Sequence, residues 1–152
     1  MPELRRDPIV GRWVIISTER AKRPDEFEVI KEEPNEGHCP FCEGNEKETP
    51  PEVFAIRDKS TKANTPGWSV RVVPSISPIF MIEGNLNRRG KGLYDVMDGV
   101  GAHEIIIETP KHIANVADLD ESQIAKVLTS YIERIKDLEG DKRFKYILIF
   151  KN

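Results

Sequence analysis

Hydrophobic and polar residues alternate with a period of two along several short stretches of the chain. The clearest stretch is Trp68–Pro74, where a proline ends the alternation, and it predicts a strand with one buried face. β-Branched and aromatic residues also predict strands at Arg12–Ser17, Glu52–Arg57 and His103–Glu108, the last of which we expect to be central. Phe27–Ile30 offers one shorter candidate for an edge strand.

A period of 3.6 residues marks one long helix. Asp120 followed by Gln123 resembles a capping box at its start, and Gly140 ends it. Seven apolar residues fall on one face, which predicts that this face packs against a sheet. They are Ile124, Val127, Leu128, Tyr131, Ile132, Ile135 and Leu138.

The segment Phe144–Phe150 is the most hydrophobic strand candidate. A strand of this kind belongs inside a sheet, so we expect its neighbour to come from structure beyond this sequence or from another chain. The whole order of elements predicts an α+β fold, in which a mostly antiparallel sheet packs one long helix on a face. At 152 residues, the chain is expected to fold as a single domain over residues 1–152.

Charge and hydropathy exclude two classes of partner. The chain has 23 Lys and Arg against 26 Asp and Glu, and no basic run is dense enough to follow a polynucleotide, so no nucleic acid is expected. Neither a signal-peptide core nor an apolar run of about 18 residues is present, so no membrane segment is expected. Two cysteines at metal spacing fit a reducing cytoplasm better than secretion.

The two cysteines lie in Cys39–Asn45, two residues apart, at a spacing that lets both thiolates bind one metal ion. Gly44 and Asn45 tolerate left-handed backbone, so the loop can fold back under its own sulfurs. A redox dithiol or an unligated pair of buried thiols would have the same spacing. A redox motif normally opens a helix, whereas this motif continues into loop, and zinc is therefore the favoured interpretation.

The remaining ligands must be histidine, carboxylate or groups outside the sequence. Of the three histidines, His112 follows the Thr109–Pro110 turn directly after a rigid strand, where its ring can reach a neighbouring loop. His38 is adjacent to Cys39, so its side chain should point away from the shared site, and His103 is expected to be a partly buried strand residue. We therefore predict His112 as the third ligand.

Two loops have the basic or glycine-rich composition that is typical of phosphate-binding segments. The segment Ser17–Pro24 presents Arg20 and Arg23, whose guanidinium groups suit phosphate, although a solvated charge run would look the same. The glycine-rich segment Glu83–Gly101 lacks the spacing of a P-loop or dinucleotide motif, so we expect a mobile surface loop there.

Several blocks of sequence together resemble a known family. Asp7–Val14, Arg20–Pro24, Cys39–Asn45 and Glu108–His112 occur in the order found in the N-terminal half of the galactose-1-phosphate uridylyltransferases, members of the histidine-triad superfamily. The similarity covers essentially the whole chain. It implies that Cys39, Cys42 and His112 hold a structural zinc, with a fourth ligand from the first histidine of a downstream His-Pro-His motif.

The resemblance also implies a reaction. In the family, the second histidine of that motif attacks the α-phosphorus of UDP-glucose, releases glucose 1-phosphate and passes the uridylyl group to galactose 1-phosphate. This nucleotidyltransferase chemistry belongs to galactose metabolism. None of the three histidines here matches the nucleophile, so the 152-residue chain alone is expected to be inactive.

The same resemblance implies binding residues and partners. Arg20 and Arg23 match a basic loop that contacts the nucleotide sugar across the interface of a homodimer, and Asn152 matches an asparagine that touches the nucleotide. Ser75 and Ile76 stand where the family has an asparagine and a polar neighbour, as candidates for nucleotide-sugar contacts. That departure keeps open an ADP-sugar phosphorylase or nucleotidyltransferase as an alternative, and a non-enzymatic zinc-binding module is a third.

Overall fold

The structure is a computed structural model that describes residues 2–17, 38–113 and 115–151. Contacts divide the described residues into two compact units, one with residues 2–17 and 77–103 and the other with residues 38–76, 104–113 and 115–151. The expectation of a single domain stays a prediction. Four predicted features lie outside the described residues, namely the edge strand at Phe27–Ile30 and the site residues Arg20, Arg23 and Asn152.

The described residues contain seven strands and one long helix. The strands are β1 (Glu3–Arg6), β2 (Trp13–Ile16), β3 (Phe54–Arg57), β4 (Trp68–Pro74), β5 (Arg89–Lys91), β6 (Tyr94–Asp98) and β7 (Glu104–Ile107). The helix α1 covers Glu121–Glu139, and short 3-10 helices lie at Glu46–Glu48 and Val116–Asp118. None of the described helices is long and apolar enough to cross a membrane.

The first unit is a four-stranded antiparallel sheet in the order β2-β1-β6-β5. The strand predicted at Arg12–Ser17 is confirmed as β2. The expectation of a mobile loop over Glu83–Gly101 is wrong, because β5 and β6 form a hairpin there in which Lys91 pairs with Tyr94. Its two-residue turn begins at Gly92, whose φ of 62° is readily available to glycine.

The second unit contains a three-stranded antiparallel sheet in the order β3-β4-β7. The predicted strands at Glu52–Arg57, Trp68–Pro74 and His103–Glu108 are confirmed, but the central strand is β4 and not β7. Val70, Val72 and Val73 on β4 are at most 1% exposed. Because consecutive residues point to opposite faces, burial on both faces identifies β4 as the centre of this unit.

The helix begins and ends as predicted. The Asp120 carboxylate accepts a hydrogen bond from the Gln123 backbone N–H at 2.8 Å and so caps the helix, and Gly140 follows its last residue. The Gln123 side chain does not return to Asp120 as a capping box would require. Its amide donates to the carbonyl oxygens of Ser69 at 2.7 Å and Glu108 at 2.6 Å, which fastens the start of α1 to strand β4 and to the residue that follows β7.

The buried face of α1 is rotated relative to the predicted apolar stripe. Leu128 and Ile132 are each 53% exposed, whereas Ser130 and Arg134 are buried together with Val127. Arg134 is neutralised by a bidentate ion pair with Glu104 at 2.7 and 2.8 Å. A count of apolar residues alone gives the wrong face, because the inner face also carries a buried arginine whose charge is paired.

The α+β class with antiparallel pairing and one long helix is confirmed, although the strands lie in two sheets. The segment Phe144–Phe150 forms no ladder with the described residues, so its pairing with a neighbour from outside this sequence stays a prediction. Its Tyr146, Leu148 and Phe150 side chains are exposed. A strand needs a hydrogen-bonded neighbour, and among the described residues the sheet of this unit ends at β7.

Candidate metal centre

The cysteine loop folds back on itself through its own hydrogen bonds. The Cys42 N–H donates to the Cys39 carbonyl at 3.2 Å, and the Asn45 side-chain amide donates to the same oxygen at 2.7 Å. Gly44 has φ 97°, the left-handed region expected of it, whereas Asn45 has φ −106°. The loop is thus a compact turn that carries both sulfur atoms.

A second turn reaches the cysteine loop from the end of β7. The Glu43 N–H donates to the Pro110 carbonyl at 3.0 Å, which joins the two turns directly. The turn is also held by a hydrogen bond from the Lys111 N–H to the Thr109 hydroxyl at 3.2 Å. Because His112 lies two residues beyond Pro110, this contact brings its ring to the sulfur atoms.

The donor atoms of Cys39, Cys42 and His112 all lie within 4.8 Å of one another. The Cys42 Sγ and His112 Nδ1 atoms are 3.6 Å apart. Tetrahedral zinc with bonds of about 2.3 Å to sulfur and about 2.0–2.1 Å to nitrogen separates the two ligand atoms by about 3.6 Å. This one distance matches zinc geometry, and the three side chains are close enough together to hold a metal ion.

Burial keeps the Cys42 thiol protonated when no cation is bound. Both cysteines are half-buried, and burial is the main cause that raises the pKa of Cys42, with the neighbouring Cys39 thiol adding to it. A thiol with a raised pKa stays protonated at neutral pH unless a cation replaces its proton. The cluster lines an open cleft with Phe41, Ile106 and other residues of the same unit, so a further ligand can approach.

A buried carboxylate lies behind the cysteine loop. Glu46 is 5% exposed, and its Oε1 atom accepts hydrogen bonds from the Gly44 N–H at 3.1 Å and from Trp68 Nε1 at 2.8 Å. Burial tends to raise the pKa of Glu46, but these hydrogen bonds and the charge of Arg71 outweigh burial, and the pKa is lowered. The sequence pattern does not reveal this residue, because it lies in the charged stretch Glu43–Glu48 and nothing there distinguishes it.

Arg71 on β4 is a second buried polar residue that the sequence pattern does not reveal. It is 1% exposed, and it donates to Glu52 at 3.0 Å and to the Thr49 hydroxyl at 2.7 Å. Arg57 Nη2 also donates to both carboxylate oxygens of Glu52, at 2.7 and 2.6 Å. A buried charge is tolerated when it is paired and hydrogen-bonded, so this network fixes the residues that follow the cysteine loop.

The other two histidines lie elsewhere, as expected. His38 Nε2 is 2.7 Å from Glu48 Oε2 on the surface, and His38 is not part of the cluster. His103 is half-buried in the other unit, and its Nδ1 accepts a hydrogen bond from the Ile79 N–H at 3.1 Å. Ser75 and Ile76, in the turn after β4, lie neither in the cluster nor in the cleft that it lines.

Two antiparallel sheets, one long helix and a cluster of two cysteines and a histidine place the chain among α+β domains with a metal-type site. The profile of the family described as galactose-1-phosphate uridyl transferase, N-terminal domain, matches residues 1–152. The chain therefore belongs to this family.

Curated relatives and solved structures agree with the family. The chain is 35% identical to the ADP-glucose phosphorylase of Arabidopsis thaliana over 99% of its length, and 29% identical to the galactose-1-phosphate uridylyltransferase of Thermotoga maritima over its whole length. The crystal structure of the Arabidopsis ADP-glucose phosphorylase with bound ADP-glucose superposes with a TM-score of 0.59 at 34% identity, covering 96% of this chain and 41% of that chain. The chain spans only 43% and 41% of the lengths of the two curated relatives.

Proposed function

We propose that this chain is the N-terminal, zinc-bearing part of a nucleotidyltransferase that acts on a nucleoside diphosphate sugar. The observation that carries the proposal is the convergence of Cys39, Cys42 and His112 within 4.8 Å in a chain of this family. The metal is structural: it joins the cysteine loop to the turn after β7 and takes its fourth ligand from a group other than these three.

The reaction proposed first is that of a UDP-glucose–hexose-1-phosphate uridylyltransferase, with UDP-glucose and galactose 1-phosphate as substrates. The family name and the Thermotoga maritima relative support it. The protein is proposed to act as a cytoplasmic homodimer. Arg20 and Arg23 would bind the phosphates of the nucleotide sugar, since guanidinium groups donate paired hydrogen bonds to phosphate oxygens.

An ADP-sugar phosphorylase or nucleotidyltransferase is the second candidate, and a specific observation favours it. The Arabidopsis ADP-glucose phosphorylase is 35% identical to this chain, against 29% for the Thermotoga maritima uridylyltransferase. Ser75 and Ile76 also depart from the pattern expected of a uridylyltransferase at positions proposed to contact the nucleotide sugar. Asn152 is proposed to contact the nucleotide in either case.

None of the three histidines matches the nucleophile of the family's motif, and each has another contact in the structure. His112 belongs to the metal cluster, His38 pairs with Glu48, and His103 accepts a backbone hydrogen bond. We therefore expect the 152-residue chain alone to bind a nucleotide sugar without turning it over. Release of glucose 1-phosphate by this chain would contradict the assignment of these histidines.

Calorimetric titration of the zinc-loaded chain with UDP-glucose and with ADP-glucose separates the two candidates. The nucleotide sugar that is the true substrate should bind more tightly, and binding of neither would favour a zinc module without nucleotide chemistry. Replacing both Arg20 and Arg23 by alanine should weaken binding by about 100-fold or more, because each charged hydrogen bond contributes about 1.5–3 kcal/mol. Arg88→Ala, on the exposed segment before the β5–β6 hairpin, is the matched charge control.

A further inference from the structure

The Glu46 carboxylate stabilises the conformation of the cysteine loop through hydrogen bonds. One oxygen of this side chain accepts two hydrogen bonds, one from the Gly44 backbone inside the loop and one from the indole of Trp68 on β4. Gly44 is two residues from Cys42, at the left-handed position where the loop reverses. The indole of Trp68, 3% exposed, therefore acts on the loop through a single shared acceptor.

A second hydrogen bond stabilises the same loop, through the side chain of Glu43. Glu43 Oε1 accepts a hydrogen bond from the Gly67 N–H at 2.7 Å, one residue before β4. Gly67 has φ 95°, and a Cβ at this position would lie 2.4 Å from a Thr61 methyl carbon. Both the backbone conformation and the close approach to Thr61 therefore require glycine. Two successive residues of the chain, Gly67 and Trp68, thus each anchor the cysteine loop.

We infer that Glu46 is a positioning residue for the metal centre, and that it couples metal binding to the packing of Trp68 in the β4 core. The inference rests on the proposed zinc site. Residues outside the first coordination shell orient the ligands of a metal, and their loss typically weakens metal affinity by about 10- to 100-fold. Without the shared acceptor, the Gly44 N–H and the Trp68 indole would both lose their partner, and the loop would have to be ordered by the metal itself.

The test is a competition titration with Zn²⁺ against a chromophoric chelator, repeated with Co²⁺, whose absorption reports tetrahedral thiolate coordination. Glu46→Ala should raise the Kd for zinc by about 10- to 100-fold. Glu46→Gln, which keeps one acceptor oxygen, should have a smaller effect. Glu48→Gln is the matched control, since it removes the same charge from the same 3-10 helix, and its Kd should remain within about twofold of the wild type.

Trp68→Phe provides a variant that keeps Glu46 and removes only the indole donor. We expect it to raise the Kd several-fold, and its use keeps the test decisive if Glu46→Ala does not fold. Urea unfolding with and without zinc then separates positioning from bulk stability. A purely structural role would destabilise the metal-free and zinc-bound proteins equally, whereas the inference requires that the variants lose part of the stabilisation given by zinc.

The outcomes distinguish the two proposals. If the wild-type chain binds no zinc, the metal centre itself is refuted. If the wild type binds zinc while Glu46→Gln, Trp68→Phe and a folded Glu46→Ala bind it with unchanged Kd, the metal centre stands and the positioning role of Glu46 is overturned.

Discussion

The two units of the chain use charged residues in opposite ways. In the unit built on β3, β4, β7 and α1, Arg71 and Arg134 are buried at 1% and 8% exposure and each is paired with a glutamate. In the unit built on β1, β2, β5 and β6, Arg89 has a side chain 44% exposed and pairs with Asp98 on the surface. Buried pairs impose a geometry, whereas exposed pairs contribute little.

The cluster of packed apolar side chains also lies in one unit, while both units have exposed apolar residues. The core cluster of Trp68, Val73 and Ile107 lies in the unit that carries the metal-type site. In the other unit Ile9 and Leu93 are 92% and 85% exposed, and three of the four residues of β2 are exposed. The candidate site therefore lies in the unit whose described residues provide a packed support, as a precise ligand geometry requires.

The largest expected effect comes from removing the buried arginine. Arg71→Met should lower the free energy of unfolding by about 3–5 kcal/mol, because Glu52 and Thr49 would keep buried polar atoms with fewer partners. Urea denaturation measures the change. Arg89→Met is the control in the other unit and should cost about 0–1 kcal/mol, and equal losses for both variants would remove the distinction between the units.

Zinc loading should sharpen the contrast by protecting only one unit locally. At a free zinc concentration of about 100 times Kd, the linked stabilisation is about 2.7 kcal/mol. Hydrogen exchange should therefore slow at the amides of Glu43 and Asn45 when zinc is added, with much smaller changes at the β1–β6 pairing. Equal protection throughout the described residues, or none at Glu43, would argue against a metal that joins the two turns.

The helix cap should have a moderate effect. Asp120→Ala removes the acceptor for the Gln123 N–H and should cost about 1 kcal/mol of stability. Thermal unfolding followed by circular dichroism measures it. Asp118→Ala removes an exposed carboxylate just before the helix and should change stability by less than about 0.5 kcal/mol, so a similar loss in both variants would show that charge and not capping is responsible.

Acid should produce the smallest effect, through the buried Glu46 of the unit that carries the candidate site. The pKa of Glu46 is lowered in the folded protein, so its contribution is present above the unfolded value near 4.5 and is lost as pH falls through the folded pKa. The free energy of unfolding should therefore decline below about pH 4.5. Glu46→Gln should decline less steeply over this window, and a slope equal to that of the wild type would contradict the lowered pKa of Glu46.

The pattern of neighbouring residues in the sequence correctly predicted a buried strand and the two ends of the helix. The alternation in Trp68–Pro74 gave β4, and Asp120 with Gly140 gave the ends of α1. The Gly92 hairpin was missed, although a glycine at the first position of a two-residue turn is its signal. Phe144–Phe150 has the composition of a strand, but composition cannot provide the neighbour that a ladder needs.

In the candidate site, too, some residues could be predicted from the sequence and others could not. Cys39 and Cys42 follow from spacing, and His112 from its place beyond a Pro-punctuated turn, because ligand chemistry limits the choices. Glu46 could not be found from the sequence, since its burial depends on the long-range contact with Trp68 and not on neighbouring residues. Polar residues on the inner face of an element were systematically missed for this reason.

Metal content measured by mass spectrometry on the purified chain tests the central claim most directly. We predict about one zinc per chain for the wild type and for His38→Ala, whose exposed ring pairs only with Glu48 among the contacts described. Zinc should be lost from a Cys39→Ser, Cys42→Ser double variant and strongly reduced in His112→Ala. A folded wild-type chain without zinc, even after incubation with it, or a His112→Ala variant that binds zinc as tightly as the wild type, would contradict the account.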